Sequence, residues 1–277
     1  MTIDEKYDLL RQIIKKLGKI LVAYSGGVDS TFLLKVCADT LGSENVLACI
    51  AAGASLPKSQ LDRAIDIAKN MQVDIETVQP AELTDTAYSA NKADRCFHCK
   101  SHLYKLLNGI AEEKGYTNVV CGSNLDDFDD FRPGNRAGKK FNIKCPLAEA
   151  KLTKPDIRQL SRRLNLSTAD IPASPCLASR ISYGMEITKQ KLKQVEEAEE
   201  FLKTLGFVEF RLRHHDQIAR LEVRQADIAK VIQEPTRQKI VEKLKSLGFK
   251  FVALDLEGFR SGSLNELLSE EDKKKNI

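Results

Sequence analysis

Ser25-Gly26-Gly27-Val28-Asp29-Ser30 joins an apolar run, Ile20–Tyr24, to a segment with helical periodicity, Thr31–Leu41. A short apolar run of this kind is typical of a buried strand. Glycines let the backbone approach an anion closely, and the start of a helix offers unpaired N–H groups and the positive end of its dipole. Since serine hydroxyls add further donors, the stretch predicts a phosphate-binding loop between a buried strand and a helix.

The loop lacks the lysine of a Walker A loop and instead resembles the PP-loop signature SGGxDS of ATP pyrophosphatases. The resemblance implies that ATP is cut between its α and β phosphates, which gives AMP and pyrophosphate. Asp29 is the expected Mg²⁺ partner, because phosphate-bound Mg²⁺ commonly takes a protein carboxylate. A plain Gly-Gly turn with Ser30 as a helix cap remains the alternative. The residues expected to bind ATP here are Ser25, Gly26, Gly27, Asp29 and Ser30.

A second polar segment, Gly122-Ser123-Asn124-Leu125-Asp126-Asp127, follows a predicted strand, Asn118–Gly122. It resembles the later G-x-N-x-D-D segment of PP-loop enzymes. The resemblance implies that the segment lies near the reacting phosphate of ATP. A solvated acidic turn is the alternative interpretation. The residues expected to contribute to the ATP site are Gly122, Asn124, Asp126 and Asp127.

Strands and helices alternate on both sides of the phosphate loop. This alternation predicts an α/β fold with a doubly wound parallel sheet. Residues 128–141 carry Asp, Arg, Pro, Gly and Lys without periodicity, so we expect a loop beyond the strand ends, where ligands bind in such sheets. The predicted strands are Ile20–Tyr24, Val46–Ala52, Val73–Val78 and Asn118–Gly122.

The composition changes near Gly184. A long amphipathic helix, Thr188–Leu205, is followed by a predicted hairpin, Phe207–Arg213 with Ile218–Val223, then by two helices and a strand. His214 and His215 are expected in the hairpin turn. We therefore predict a PP-loop ATP pyrophosphatase domain over residues 1–184 and a smaller α/β domain, for substrate binding or oligomerisation, over residues 185–277.

The bulk composition is that of a globular protein. The 277 residues include 43 Lys and Arg against 39 Asp and Glu, a net charge of +4, which by itself gives no reason to expect nucleic-acid binding. The N-terminal stretch is a charged amphipathic helix without the apolar core of a signal peptide. No apolar run approaches the roughly 20 residues of a membrane span. The expected location is cytoplasmic, with no membrane partner.

The chain has seven cysteines, an odd number that does not favour a disulfide framework in a cytoplasmic protein. Cys37, Cys49 and Cys121 lie in apolar stretches and are expected to be buried. Cys96 and Cys99 have the spacing of metal ligands, flanked by basic residues that favour thiolates. Spacing alone leaves an iron–sulfur cluster, a zinc site and a redox or sacrificial thiol open.

Several further motifs resemble LarE, the ATP-dependent sulfurtransferase family of nickel-pincer cofactor synthesis. The resemblance covers nearly the whole chain, and its C-terminal motifs are more specific than the phosphate loop. They are Phe131-Arg132-Pro133-Gly134, Ala173-Ser174-Pro175-Cys176-Leu177-Ala178-Ser179-Arg180 with Tyr183-Gly184, Phe210-Arg211-Leu212-Arg213, Ile218-Ala219-Arg220-Leu221-Glu222, and Leu254-Asp255-Leu256-Glu257-Gly258-Phe259-Arg260-Ser261-Gly262.

This resemblance implies adenylation of the carboxylates of pyridinium-3,5-biscarboxylic acid mononucleotide. A sulfur nucleophile then displaces AMP, leaving a thiocarboxylate. Members with a CxxC pair and a further cysteine carry a [4Fe–4S] cluster, so the implied metal ligands are Cys96, Cys99 and Cys176, with sulfide or another sulfur donor as a partner. The family tends to form homo-oligomers. The implied catalytic residues are Cys176, Asp29 and Arg180, and the implied substrate-binding residues are Ser179, Arg180, Arg211, Arg213 and Arg260.

Other functions remain open at this point. If no cluster forms, Cys176 is the expected sacrificial sulfur donor. A tRNA thiolase of the PP-loop and iron–sulfur type is a further candidate, although the chain has no strongly basic face and no added RNA-binding module. A degenerate nucleotide-binding or scaffold protein is disfavoured by the intact SGGVDS stretch.

Overall fold

The structure is a computed structural model, and it describes residues 1–128, 133–172, 174–260 and 262–275. The chain divides into two compact units, Met1–Glu82 with Cys96–Ser174 and Leu83–Arg95 with Pro175–Lys275. The functional division at Gly184 stays a prediction. Four of the motif residues lie outside the described residues, namely Phe131, Arg132, Ala173 and Ser261.

The first unit contains a parallel sheet of four strands in the order β3-β2-β1-β4. Helices cover both of its faces, so successive residues of β1 enter two separate cores. Val22 packs with Phe32 and Ile157 in one core, whereas Leu21 packs with Leu107 in the other. The predicted parallel α/β fold is confirmed. The strands are β1 Ile20–Tyr24, β2 Val46–Ala51, β3 Asp74–Val78 and β4 Asn118–Cys121.

The order of the strands reverses at β1. The chain runs from β1 to β2 on one side, and β4 pairs with the other side of β1. In open parallel sheets, ligands bind beyond the carboxyl ends of the strands at such a reversal. The phosphate loop follows β1, and Gly122–Asp127 follows β4, so the topology places both segments at this point.

The helices begin where the sequence supplies caps. Thr2 and Glu5 form a capping box at the start of α1, and Thr153 and Asp156 form another at the start of α8. Residues 128–141 are not entirely a loop as predicted, because they contain α6. The helices through residue 163 are α1 Ile3–Leu17, α2 Val28–Leu41, α3 Lys58–Asn70, α4 Thr86–Ser89, α5 Arg95–Glu113, α6 Gly134–Lys140, α7 Pro146–Glu149 and α8 Lys154–Arg163.

The second unit has a three-stranded sheet in the order β5-β6-β7, with β5 antiparallel and β7 parallel to β6. The predicted hairpin is present, but His214 and His215 belong to β5 and not to the turn. Strand pairing continues to His215, opposite Ile218, and the turn follows at Asp216, whose φ is 55°. The elements are α9 Lys189–Thr204, β5 Phe210–His215, β6 Ile218–Val223, α10 Ile228–Ile232, α11 Thr236–Ser246, β7 Phe251–Leu254 and α12 Glu270–Lys275.

Within residues 1–128, 133–172, 174–260 and 262–275, every helix is too short or too polar to cross a bilayer.

Candidate functional site

The phosphate loop is held in shape by its own serines. Ser25 and Ser30 hydroxyls lie 3.0 Å apart, and the Ser25 amide donates to Ser30 Oγ at 3.2 Å. Gly27 is the N-cap of α2, and no side chain of the described residues caps this helix end. Because the first amides of a helix have no partner inside the helix, the loop surrounds a set of N–H donors. The arrangement suits a phosphate group.

Gly26 allows the loop to pack against α3. Its φ is 69°, a left-handed conformation that favours glycine. A Cβ at this position would lie 2.5 Å from the Ala64 Cβ, which is too close for any other residue. Gln60 on the same helix donates to the Ser25 carbonyl at 3.0 Å. Thus contacts with α3 fix the position of the loop. The loop motif alone did not predict these contacts.

The second segment touches the phosphate loop through a glycine. A Cβ on Gly122 would lie 2.9 Å from the Ser30 amide nitrogen and 3.0 Å from its Cα. Only glycine lets the end of β4 come this close to the first turn of α2. The structure therefore brings the two predicted ATP-binding segments together.

Asp29 lies between two partners in the first unit. The side-chain amide of Asn124 donates to one carboxylate oxygen at 3.4 Å, and the Lys154 ammonium forms an ion pair with the other. Lys154 was not among the predicted site residues. It is the first residue of α8, far from the loop in sequence, and no pattern in the sequence connects it to Asp29. Its charge suits a phosphate group as well as a carboxylate.

The two aspartates of the second segment bind backbone amides. Asp127 is buried, and its carboxylate accepts a hydrogen bond from the Asn124 amide at 3.2 Å. Asp126 accepts from the Lys154 amide at 2.8 Å, at the N-terminus of α8. These bonds hold Asn124 and Lys154 at Asp29. The acidic segment thus acts as a support in this structure, and direct contact of either aspartate with ATP or metal stays a prediction.

The predicted cluster ligands fall in different units. Cys96 and Cys99 lie in the first turn of α5 and are half-buried, whereas Cys176 is exposed and precedes a short 3₁₀ helix, Leu177–Arg180. Within the described residues, no group of three or more His, Cys, Asp or Glu side chains is arranged to hold a metal ion. The donor chemistry of three thiols fits an iron–sulfur cluster. The cluster itself is not confirmed and stays a prediction.

Arg180 holds the segment that carries Cys176. Its guanidinium forms a bidentate pair with Glu199, at 2.9 and 3.0 Å, and it is 2% exposed. The remaining nitrogen donates to the Pro175 carbonyl at 2.6 Å and to the Cys176 carbonyl at 3.2 Å. The structure gives Arg180 a positioning role toward Cys176. Direct contact with substrate stays a prediction.

Arg213 is also buried in the second unit. It pairs with Glu222 at 2.8 Å, donates to the Ser263 hydroxyl at 2.8 Å, and donates to the Ser179 carbonyl at 3.1 Å. Among the described residues its Nε has no hydrogen-bond partner. A buried donor without a partner is costly, so this group is open to an acceptor that the ligand-free chain does not supply.

Arg211 and Arg260 have different surroundings. Arg211 lies over the Phe259 ring at 4.9 Å, and burial, together with the charges of Arg180 and Arg213, lowers its pKa to about 10. Arg211 therefore remains cationic at neutral pH in a region of positive potential. Arg260 is more exposed, and it pairs with Glu266 at 2.6 Å and Glu257 at 2.5 Å.

Two buried glutamates were missed by reasoning from the sequence. Glu199 lies on the apolar stripe of α9, and Glu222 is fully buried on β6. A carboxylate on an apolar helix face was a visible signal, since a buried charge requires a partner. For Glu222 the alternation on β6 was the signal, because the residue shares a face with Arg220 and pairs across the hairpin with Arg211.

Comparison with known proteins covers nearly the full chain. The sequence model of the NAD synthase family matches residues 2–104. An uncharacterized protein of Synechocystis sp. is 40% identical over 267 residues, covering 96% of this chain and 99% of that protein. An uncharacterized protein of Methanocaldococcus jannaschii is 34% identical over 247 residues, covering 88% of this chain and 91% of that protein.

A third relative carries a functional name. The pyridinium-3,5-bisthiocarboxylic acid mononucleotide synthase of Lactiplantibacillus plantarum is 35% identical over 268 residues, which cover 97% of this chain and 96% of that protein. Likeness of this extent includes both the PP-loop unit and the unit that carries Cys176 and the buried arginines. The chain therefore belongs to the family of this synthase, the LarE family of PP-loop enzymes.

Proposed function

We propose that the protein is an ATP-dependent sulfurtransferase that converts the carboxylates of pyridinium-3,5-biscarboxylic acid mononucleotide into thiocarboxylates. The observation that carries the proposal is a complete PP-loop geometry in a chain that matches the Lactiplantibacillus plantarum synthase over 268 residues. We propose a cytoplasmic location and a homo-oligomeric state on the strength of the family resemblance. The pathway is the synthesis of the nickel-pincer nucleotide cofactor.

The first step uses the phosphate loop. A carboxylate oxygen is a poor leaving group, and attack of the carboxylate on the α-phosphate of ATP turns it into part of an acyl-adenylate. The bond between the α and β phosphates breaks, and pyrophosphate leaves. The loop amides, with Ser25 and Ser30, hold the pyrophosphate, and Lys154 neutralises its charge as the bond breaks. Mg²⁺ bound at Asp29 would supply charge stabilisation on the phosphates.

The second step exchanges oxygen for sulfur. A sulfur nucleophile attacks the acyl carbon, and AMP leaves with the former carboxylate oxygen. We propose Cys96, Cys99 and Cys176 as ligands of a [4Fe–4S] cluster, which would supply an open iron position for a sulfide. Arg180 fixes the backbone at Cys176, because it donates to the Pro175 and Cys176 carbonyls. Two rounds, one on each carboxylate, would give the bisthiocarboxylate product.

The proposal has a direct biochemical test. Anaerobically purified protein is incubated with ATP, Mg²⁺, the mononucleotide and sulfide, and products are followed by liquid chromatography and mass spectrometry. We expect AMP and pyrophosphate, and a nucleotide product whose mass rises by the difference between sulfur and oxygen, with one AMP for each sulfur. Formation of ADP, or AMP without any thiocarboxylate, would contradict the proposal.

We further propose that the arginines of the second unit bind the phosphate of the mononucleotide. Arg213 has an unused buried donor, and Arg211 is a half-buried cation beside it in the same strand. Arg is suited to bidentate phosphate recognition. Arg213→Ala is a poor test, because it would leave the fully buried Glu222 carboxylate without this partner and would destabilise the fold.

Arg211→Met is the sharper test of this phosphate site. We expect affinity for the mononucleotide to fall by about 1.5–3 kcal/mol, the size of a hydrogen bond to a charged group, while affinity for ATP stays the same. Isothermal titration calorimetry measures both. Arg224→Met is the matched control, since Arg224 lies in the same unit with an exposed pair to Asp227 at 2.8 Å. Equal affinities for the mononucleotide in the two variants would remove Arg211 from the site.

A further inference from the structure

We propose that Cys121 and Cys145 form a redox-active dithiol that a small peroxide oxidises to an intramolecular disulfide. From the sequence, Cys121 was expected only to be a buried residue in an apolar stretch. The structure places the two Sγ atoms 3.5 Å apart. Neither cysteine is one of the proposed cluster ligands.

Strand pairing gives the two cysteines the spacing of a disulfide. Val120 and Lys144 form a parallel bridge beside β4, and the Cys121 amide donates to the Lys144 carbonyl at 2.9 Å. Cys121 and Cys145 each follow one member of that bridged pair, so they are lateral neighbours. Adjacent strands are about 4.7–4.9 Å apart, and disulfides span Cα separations of about 4.4–6.8 Å. The Sγ–Sγ bond can therefore close with a small movement of the side chains.

A small cavity is lined by both cysteines. Its volume is about 60 Å³, and its lining includes Tyr104, Ser123 and Asn135 together with the two cysteines. Cys121 itself is 6% exposed, and Cys145 is half-buried. A molecule of the size of hydrogen peroxide fits this space, since a water molecule needs roughly 10–15 Å³ on the same measure. A glutathione-sized disulfide does not fit, so the oxidant is a small peroxide.

The surroundings make the two thiols unequal. The hydrogen bond with Cys145, the Lys100 ammonium and Ser123 lower the pKa of Cys121, against the effect of burial. The pKa of Cys145 is raised, because it hydrogen-bonds to Cys121 and is itself buried. One thiolate beside one thiol is the combination that a two-step oxidation needs. By contrast, burial raises the pKa of Cys49 to about 12, so that residue stays inert.

The oxidation balances without a cofactor. The Cys121 thiolate attacks one oxygen of hydrogen peroxide, the O–O bond breaks, and the sulfur becomes a sulfenic acid as hydroxide leaves. The Cys145 thiol then attacks that sulfur, and its proton leaves with the expelled hydroxide as water. In total, two thiols and one peroxide give one disulfide and two waters, with two electrons passed from sulfur to oxygen. A dithiol reductant reverses the reaction.

The disulfide would form at the edge of the ATP site. Cys121 directly precedes Gly122, which packs on Ser30. Two residues after Gly122, Asn124 contacts Asp29. Cys145 is the N-cap residue of α7. The bond would therefore tie the start of the Gly122–Asp127 segment to the strand-like segment at Lys144. Oxidation of this pair is a modification next to the nucleotide, separate from any sulfur delivery by Cys176.

Peptide mapping tests the proposal without assuming any activity. The full chain is treated with hydrogen peroxide, denatured, alkylated and digested, and peptides are identified by mass spectrometry. We expect a Cys121–Cys145 linked peptide that disappears after dithiothreitol, while Cys37 and Cys49 are recovered as alkylated thiols. In Cys145→Ser the sulfenic acid cannot be resolved, so a dimedone adduct is expected on Cys121 when dimedone is added at the denaturation step.

Two results would overturn the proposal. Recovery of both Cys121 and Cys145 as alkylated thiols, under conditions that oxidise Cys96, Cys99 or Cys176, would show that the pair is not peroxide-reactive. A dimedone adduct on Cys145 in a Cys121→Ser variant, together with an unmodified Cys121 in Cys145→Ser, would show that Cys121 is not the reactive thiolate. Circular dichroism of each variant shows whether it is folded before these adducts are compared.

Discussion

Asp29→Ala is expected to lower the rate of AMP and pyrophosphate formation by about 10²–10³-fold, since charge stabilisation by a metal on the phosphates supplies several kcal/mol. Asp29 is the carboxylate of the phosphate loop, and it touches Asn124 and Lys154, one from each supporting segment. The variant should remain folded, because a partly exposed ion pair contributes about 0–1 kcal/mol to stability. Single-turnover assays with radiolabelled ATP measure the rate, and thermal melts check the fold.

Asp39→Ala is the matched control for this prediction. Asp39 lies on the same helix, α2, and also pairs with a lysine, Lys35, at 2.6 Å, but it is in the last turn of the helix, whereas the loop lies at the helix start. We expect its rate to equal that of the unaltered protein. If Asp29→Ala cleaved ATP as fast as Asp39→Ala, the proposed role of Asp29 in metal binding would be wrong. Release of ADP in place of AMP would show that the assignment of the cleaved bond is wrong.

Replacement of Cys96, Cys99 or Cys176 by alanine is expected to reduce iron content and sulfur transfer together. Sulfur transfer should fall at least about tenfold, as is usual when a metal site loses support, while ATP cleavage persists because the phosphate loop does not include these residues. Anaerobic preparations are assayed for iron, acid-labile sulfide and thiocarboxylate product. Cys37→Ala is the control, since Cys37 is fully buried in the first core and should cost about 1 kcal/mol of packing.

The fate of Cys176 separates two sulfur sources. After many turnovers with added sulfide, an intact Cys176 and several products per chain would support a renewable sulfur carried on the cluster. Conversion of Cys176 to dehydroalanine, with one sulfur delivered per chain, would exclude that mechanism and support a sacrificial cysteine. Intact-mass measurement before and after turnover distinguishes the two, since loss of the thiol lowers the mass of the chain.

The phosphate loop and the parallel sheet were predictable because their signals are local. The glycines, the serines and the preceding apolar strand occupy neighbouring positions, and short-range physics determines their conformation. Lys154, Glu199 and Cys145 were missed because each meets its partner through the tertiary fold. Neither the charge of Lys154 nor the thiol of Cys145 carries any sequence signal of what lies opposite.

Element boundaries show the same distinction between local and tertiary effects. Residues 128–141 were interpreted as a loop because glycine and proline suppress helical periodicity, yet α6 forms within them and buries Ala137 in the second core. His214 and His215 were assigned to a turn, but cross-strand pairing with Ala219 and Ile218 keeps them in β5. Tertiary burial and pairing overrode weak local preference in both cases.

The ion pair between Asp29 and Lys154 also bears on the rate at which a nucleotide binds. A bare carboxylate in a phosphate loop would repel the triphosphate of an arriving nucleotide, whereas a neutralised one does not. A divalent cation bound at Asp29, as proposed, would release the Lys154 ammonium and make it available to the phosphate chain. Lys154 would then exchange one anion for another. The Lys154 ammonium thus lies at the position beside the carboxylate that the proposed cation would take.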